Sequence, residues 1–305
     1  MATRSKEDWL EDFVRRAWQA HRDQCATQPR PLILCEALTL GKSYTCARVA
    51  EQLAHNAPSL RVAVVSLDGT YAFRNMASDL YLPHAALRVL AAAHPHFSLL
   101  RGRGQPGTHD VALGTQILHA LHRNERVSVP VYDKSAHGGE GDRAPALRAL
   151  PYPLDVVLFE GWCLGFRSRT RDDLAQAMAH APPGASYASC SIDELAWISA
   201  ELHRWEMQWY PLLDAFVQFL PQVEGLASPW SLVYPWRLEA EHAMKARNGG
   251  HGMSDEQVWA FVQRYLPSYE LFSQDMRTAP DWIKPCLCLV IMADRRARCG
   301  SMVHV

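Results

Sequence analysis

The sequence predicts an α/β fold in which a parallel sheet is flanked by helices. Three short apolar runs carry that prediction: residues 32–35 (LILC), 61–66 (RVAVVS) and 155–159 (DVVLF). Each runs straight into a loop bearing glycine and a charged residue. Runs of this kind suit strands covered on both faces, whereas half-solvated strands alternate apolar with polar residues. With 305 residues, 48% of them hydrophobic and 21% charged, the chain can bury a full core as one large α/β domain or two smaller ones, and disorder is not its dominant state. A net charge of -1 gives no reason to expect nucleic acid or an anionic membrane as partner, so local basic clusters read as sites or solvated faces.

Taking the chain in order, residues 5–21 begin with Ser5-x-x-Asp8 and carry Leu10, Phe13, Val14, Ala17 and Trp18 at helical spacing. This is the pattern of an N-terminal helix packed on the main domain. Residues 31–50 then place an apolar run, a tight loop ending Gly41-Lys42-Ser43, and a helix with Cys46, Ala47, Ala50, Leu53 and Ala54 on one face. The pattern G-x-x-x-x-G-K-[ST] between strand and helix cradles phosphates on backbone N–H groups; its Lys neutralises them and its hydroxyl meets Mg²⁺. Here the first glycine position holds Glu36. The strand at 61–66 ends at Asp68, and in open parallel sheets ligands lie beyond the carboxyl ends of strands, so Asp68 arrives at the same edge as Lys42. Taken alone, Asp68-Gly69 fits an ordinary turn equally well.

Residues 97–100 read as a short strand, followed by the irregular RGRGQPGTHD of 101–110, which is either a solvated loop or one that contacts anions. Thr108 or Asp110 caps a helix carrying Leu113, Ile117 and Leu121. Residues 127–132 are extended, and the three glycines among charges at 133–143 predict a mobile flap of the kind that closes over phosphates. The strand at 155–159 delivers Glu160 to the sheet edge. A Pro/Gly/Ser stretch, 181–191, precedes a more helical half in which Ile198, Leu202, Trp205 and Trp209 form a core stripe. Further elements are a strand over 213–220, a charged helix from 235 to about 250, a helix opened by the capping box Ser254-x-x-Gln257 and stopped by Pro267, and a last core strand over 286–292. The eight cysteines are scattered without zinc-type pairing, and Cys286 and Cys288 share one face of a strand. No basic segment followed by an apolar one opens the chain, and the longest apolar run, 286–293, is too short to span a bilayer, so no membrane partner and a cytoplasmic location are expected.

Five stretches together, RGRGQPGTHD, VPVYDKSAHGGEGDR, LFEGWCLGF, YPWRLEAEHAMKARNGGHGMSDEQV and FVQRYLPSYELF, make the chain resemble the family of D-glycerate 3-kinase and the fungal ATP-binding kinase-like proteins, in the phosphoribulokinase/uridine kinase branch of P-loop kinases. The resemblance implies a P-loop NTPase fold, a helical extension over 1–30 and a kinase-like domain over 31–305, with a lid about residues 101–143. It implies ATP and Mg²⁺, and a small-molecule substrate such as glycerate or another hydroxy acid. Gly41, Lys42, Ser43 and Tyr44, with Arg101 and Arg103, would bind nucleotide. Ser43, Asp68 and Glu160 would hold the metal, Asp68 would accept the substrate hydroxyl's proton, and Lys42, Lys134 and Arg143 would act on the transferred phosphoryl. Arg237, His109 and Lys134 are candidates for the substrate carboxylate.

The family's pattern is broken at two places. Family members carry glycine at the position of Glu36, usually glycine at Thr39, and a small residue at Leu40. A Cβ in a strained loop conformation costs on the order of 1–3 kcal/mol, and a carboxylate about 5 Å from a phosphate charge adds roughly 3 kcal/mol of repulsion at an effective dielectric near 20. The family's Asp-Asp-Phe-Tyr motif reads Asp68-Gly69-Thr70-Tyr71, without the second acid. An active kinase and a catalytically impaired relative acting through weak nucleotide binding or protein contacts are the two functional expectations.

Overall fold

The computed structural model describes residues 4–37, 42–68, 79–223, 228–247, 249–273, 283 and 285–303. Strands β1 (Leu32–Ala37), β2 (Val62–Ser66), β5 (Val156–Gly161), β6 (Ala215–Gln222), β7 (Cys286–Met292) and β8 (Ala297–Val303) form one sheet in the order β2-β5-β1-β6-β7-β8. The first five are parallel and β8 returns antiparallel to β7. A separate antiparallel ribbon joins β3 (Ser128–Asp133) to β4 (Asp142–Ala149).

Strand periodicity sorts the core into two layers. Leu32 and Leu34 of β1 face α1 (Lys6–Gln24) and α2 (Lys42–Asn56), where Leu10, Phe13, Val14, Cys46, Val49 and Leu53 are buried. Ile33, Cys35 and Ala37 face the opposite layer, which includes α4 (Val111–His122) and α6 (Ile192–Gln208), with Trp205 and Trp209 fully buried. Helix α1 starts at a complete capping box of Ser5 and Asp8. Its far end is tied down: His21 Nε2–H donates to the Arg30 carbonyl (3.3 Å), while Arg30 grips both oxygens of Asp214 (2.8 and 2.7 Å). Asp214 also accepts the Ile33 N–H at 2.9 Å, so the same carboxylate fixes the start of β1. Among the described residues no helix is long and apolar enough to cross a membrane.

The remaining helices are α3 (His84–Ala93), α5 (Arg171–Ala179), α7 (Val233–Lys245), α8 (Asp255–Gln263) and α9 (Leu266–Phe272). Several expectations are corrected. Residues 98–100 form a 3₁₀ turn rather than a strand; its Leu99 and Leu100 are apolar because they are buried, with the Leu99 N–H held by Glu194. The strand expected over 213–220 runs from Ala215 to Gln222. Pro267 opens α9 instead of only ending α8, since a first-turn residue needs no N–H. Strand β4 carries no apolar run because its residues are half-buried or exposed throughout.

Candidate active site at the sheet edge

Strands β2, β5 and β1 lie side by side, and the functional candidates gather where they end. Helix α2 begins at Lys42, with Ser43 and Tyr44 in its first turn; Thr39, Leu40 and Gly41 lie outside the described residues. Glu36 is not a loop residue. It is the fifth residue of β1, paired in register with Glu160 of β5, and it is fully buried. By the two-residue strand period its side chain takes the α2 face, where the Cys46 thiol donates to its carboxylate. Burial first, then the charges of Glu36 and Glu160, push the Cys46 thiol far up, keeping it protonated as the donor.

Next to β1, Gly161 closes β5. A Cβ there would lie 2.5 Å from the Leu67 Cβ, so glycine permits the close approach that brings Asp68 to the edge. The Leu67 N–H bonds the Glu160 carbonyl (2.8 Å), which sets Asp68 beside the end of β5.

The chain leaves at Asp68 and comes back at Asp79, and the two form an antiparallel bridge. From there it is stitched on both sides: Leu80 N–H to Leu67 O (3.2 Å), Asp110 N–H to Leu80 O (2.7 Å) and Leu82 N–H to Thr108 O (3.0 Å). Asp79 has no exposed surface, and neither carboxylate oxygen accepts a hydrogen bond among the described residues. Burial raises its pKa to about 7; Lys134 pulls it down, while Asp68 and Glu160 push it up. Sequence reasoning placed the acid next to Asp68 at Gly69 and found none, because ten residues, 69–78, intervene before Asp79.

Over this edge lies the flap. Lys134 follows β3, and its ammonium donates to the Asp68 carbonyl (2.6 Å) and stands 3.8 Å from the Asp79 carboxylate. The flap tip turns through four residues at positive φ, His137, Gly138, Gly139 and Gly141. It is held from two directions. The His84 ring, at the start of α3, stacks on His137 at 3.8 Å and bonds Glu140 at 2.7 Å. Arg103 donates to the carbonyls of Gly139 (2.9 Å) and Glu140. Arg143, on β4, pairs with Asp110 at 3.0 Å, which is also the cap of α4.

The 101–110 loop is in turn clamped by distant parts of the sequence. Trp162 donates to the Gly104 carbonyl (2.6 Å), Tyr265 to the Arg103 carbonyl (3.3 Å) and Ser268 to Gln105 (2.7 Å). Thus Lys134 reaches Asp68 directly, the charge of Arg103 is felt at Asp79, and Arg143 is held at the cap of α4, whereas Arg101 and Arg237 are engaged elsewhere. Arg101 is exposed and its charge is felt at Glu194 in α6; Arg237 pairs with Glu241 within α7 (2.8 Å). His109 packs in the core, stacked on Tyr81 at 4.6 Å and edge-on to Trp205. Asp79 and the His84–His137 stack are the features that sequence reasoning missed.

Known proteins resemble this chain closely. It is 34% identical over 222 residues to an uncharacterized kinase of Schizosaccharomyces pombe, a match covering 71% of this chain and 76% of that protein. It is 32% identical over 209 residues to a probable ATP-dependent kinase of Saccharomyces cerevisiae, covering 65% of this chain and 64%, just under two thirds, of the yeast protein. Among solved structures, D-glycerate 3-kinase from Cryptococcus neoformans var. grubii matches with a TM-score of 0.84 at 33% identity, over 99% of this chain and 100% of that one. No family model matches.

Proposed function

The chain belongs to the D-glycerate 3-kinase and ATP-dependent kinase-like family, and on that premise we propose that it transfers the γ-phosphoryl group of ATP to a hydroxyl of D-glycerate or a similar hydroxy acid. The observation that carries the reading is the flap cation: Lys134 reaches the end of β2 at Asp68, on the edge where α2 starts with Lys42 and Ser43. Phosphoryl transfer needs alignment, a base beside the attacking hydroxyl, and cations where charge spreads over the equatorial oxygens. In this reading Asp68 takes the hydroxyl proton as that oxygen bonds to the γ-phosphorus and ADP leaves. Lys42 clamps the β- and γ-phosphates, Lys134 and Arg143 neutralise the transferred group, and the closed flap keeps water from competing as acceptor.

The donors Ser43, Asp68 and Glu160 offer only oxygen, and Asp68 and Glu160 end adjacent strands, which fits a hard cation that takes one or two carboxylates and completes its shell with phosphate and water. Bound there, Mg²⁺ would offset phosphate charge.

Titration calorimetry with MgATP, followed by ADP release in the presence of D-glycerate, tests the proposal. Asp68→Asn is expected to lower turnover by roughly 10²- to 10⁴-fold while sparing ATP affinity, and Lys42→Ala to impair both. Absence of MgATP binding at millimolar concentration would sink the kinase reading in favour of an impaired relative that works through protein contacts.

A further inference from the structure

We propose that Asp79 is the second acid of this site, a positioning residue that acts through Lys134: together with the Asp68 carbonyl it seats the flap ammonium at the end of β2. Nothing in the sequence near Asp68 points to it, and three observations in the fold do.

The first is placement. Asp79 is bridged to Asp68, and hydrogen bonds on both sides of residues 79–82 fix its backbone between β2 and the 101–110 loop. With residues 69–78 set aside, Asp68 is followed by Asp79-Leu80-Tyr81, so an acid-acid-apolar-tyrosine order is restored across an insertion.

The second is the absence of a structural partner. Two other carboxylates packed into the fold are satisfied by N–H groups: Glu194 by Leu99, and the half-buried Asp214 by Ile33 and Arg30. Asp79 is more deeply buried than either and takes no hydrogen bond among the described residues. A buried carboxylate without such bonds costs free energy unless a charge is brought to it. The cation nearest to it in the described structure comes from the flap.

The third is the geometry of that cation. Lys134 spends one donor on the Asp68 carbonyl at 2.6 Å and stands 3.8 Å from Asp79, too far for a hydrogen bond. Asp79 therefore attracts the ammonium by charge without taking a hydrogen bond from it.

The kinetic test rests on the kinase reading; a second, chemical test does not. In steady-state assays with MgATP and D-glycerate, Asp79→Asn is expected to lower kcat roughly 10- to 100-fold with KM changed little, and Asp79→Glu to recover part of the loss. Combined with Lys134→Gln, Asp79→Asn should add nothing to the effect of Lys134→Gln alone. Independently, acetic anhydride labelling followed by peptide mass mapping should modify Lys134 several-fold faster in Asp79→Asn than in the unaltered protein, with the other lysines unchanged. Asp79→Ala gives the same comparison should the amide disturb folding. Unchanged Lys134 labelling overturns the proposal, as does a double variant whose loss is the product of the two single losses. If the unaltered protein turns over no D-glycerate, the substrate reading falls and the labelling alone decides the role of Asp79.

Discussion

Glu36 shows how one residue's role depends on where a strand stops. In the loop register it would oppose a phosphate; as the fifth residue of β1 it faces α2 and accepts the Cys46 thiol. Its replacement therefore bears little on nucleotide binding. Glu36→Gly is expected to change MgATP affinity by less than about threefold in calorimetry, against on the order of 100-fold were its carboxylate turned to a phosphate. A gain of the larger size would show that the loop, and not the strand, holds this side chain. Asp68 and Glu160 stand out in the sequence because each comes at the end of an apolar run, and Lys42 and Ser43 because they follow Gly41 between such a run and a helical pattern. Asp79 does not, because its neighbour in space is ten intervening residues away in the chain and no local pattern announces it.

Among the elements, α1 depends on a charge that stays absent. Burial lowers the pKa of His21 below 6.5, with Asp214 acting in the opposite direction. The unfolded chain thus binds a proton more readily than the folded one, and stability falls as pH drops from about 6.5 through the lowered native value. Urea unfolding at successive pH values should show this slope, and His21→Gln should flatten it. At the other end of the sheet layer, Gly161→Ala would drive a methyl group into Leu67; a loss of about 1–3 kcal/mol is expected in the same assay. If Gly161→Ala is neutral, the contact between β5 and the approach to Asp68 is looser than described. The five parallel strands were readable as apolar runs since both their faces are covered, while β4 (DRAPALRA) keeps charges because much of it meets solvent. The 3₁₀ turn at 98–100 was misread for the converse reason: burial, not extension, selects its leucines.

Across the whole molecule, stretches far apart in sequence act on one loop. Trp162 of the Glu-Gly-Trp turn, together with Tyr265 and Ser268 near α9, grips residues 103–105, and Arg103 within that segment grips the flap. Sequence inspection found these stretches as separate motifs; only the fold shows that they brace one another. Removing the Trp162 donor with Trp162→Phe should therefore loosen the flap at a distance, seen as faster amide exchange at 137–141 with little change in β1 or β5. The meeting of Asp68 with Asp79 has a different kind of consequence. Where a chain departs and re-enters at paired residues, lengthening the intervening segment adds only about 0.6 kcal/mol per doubling. In closure entropy alone the junction leaves room for grafting: an epitope carried between those two residues would emerge beside the end of β2.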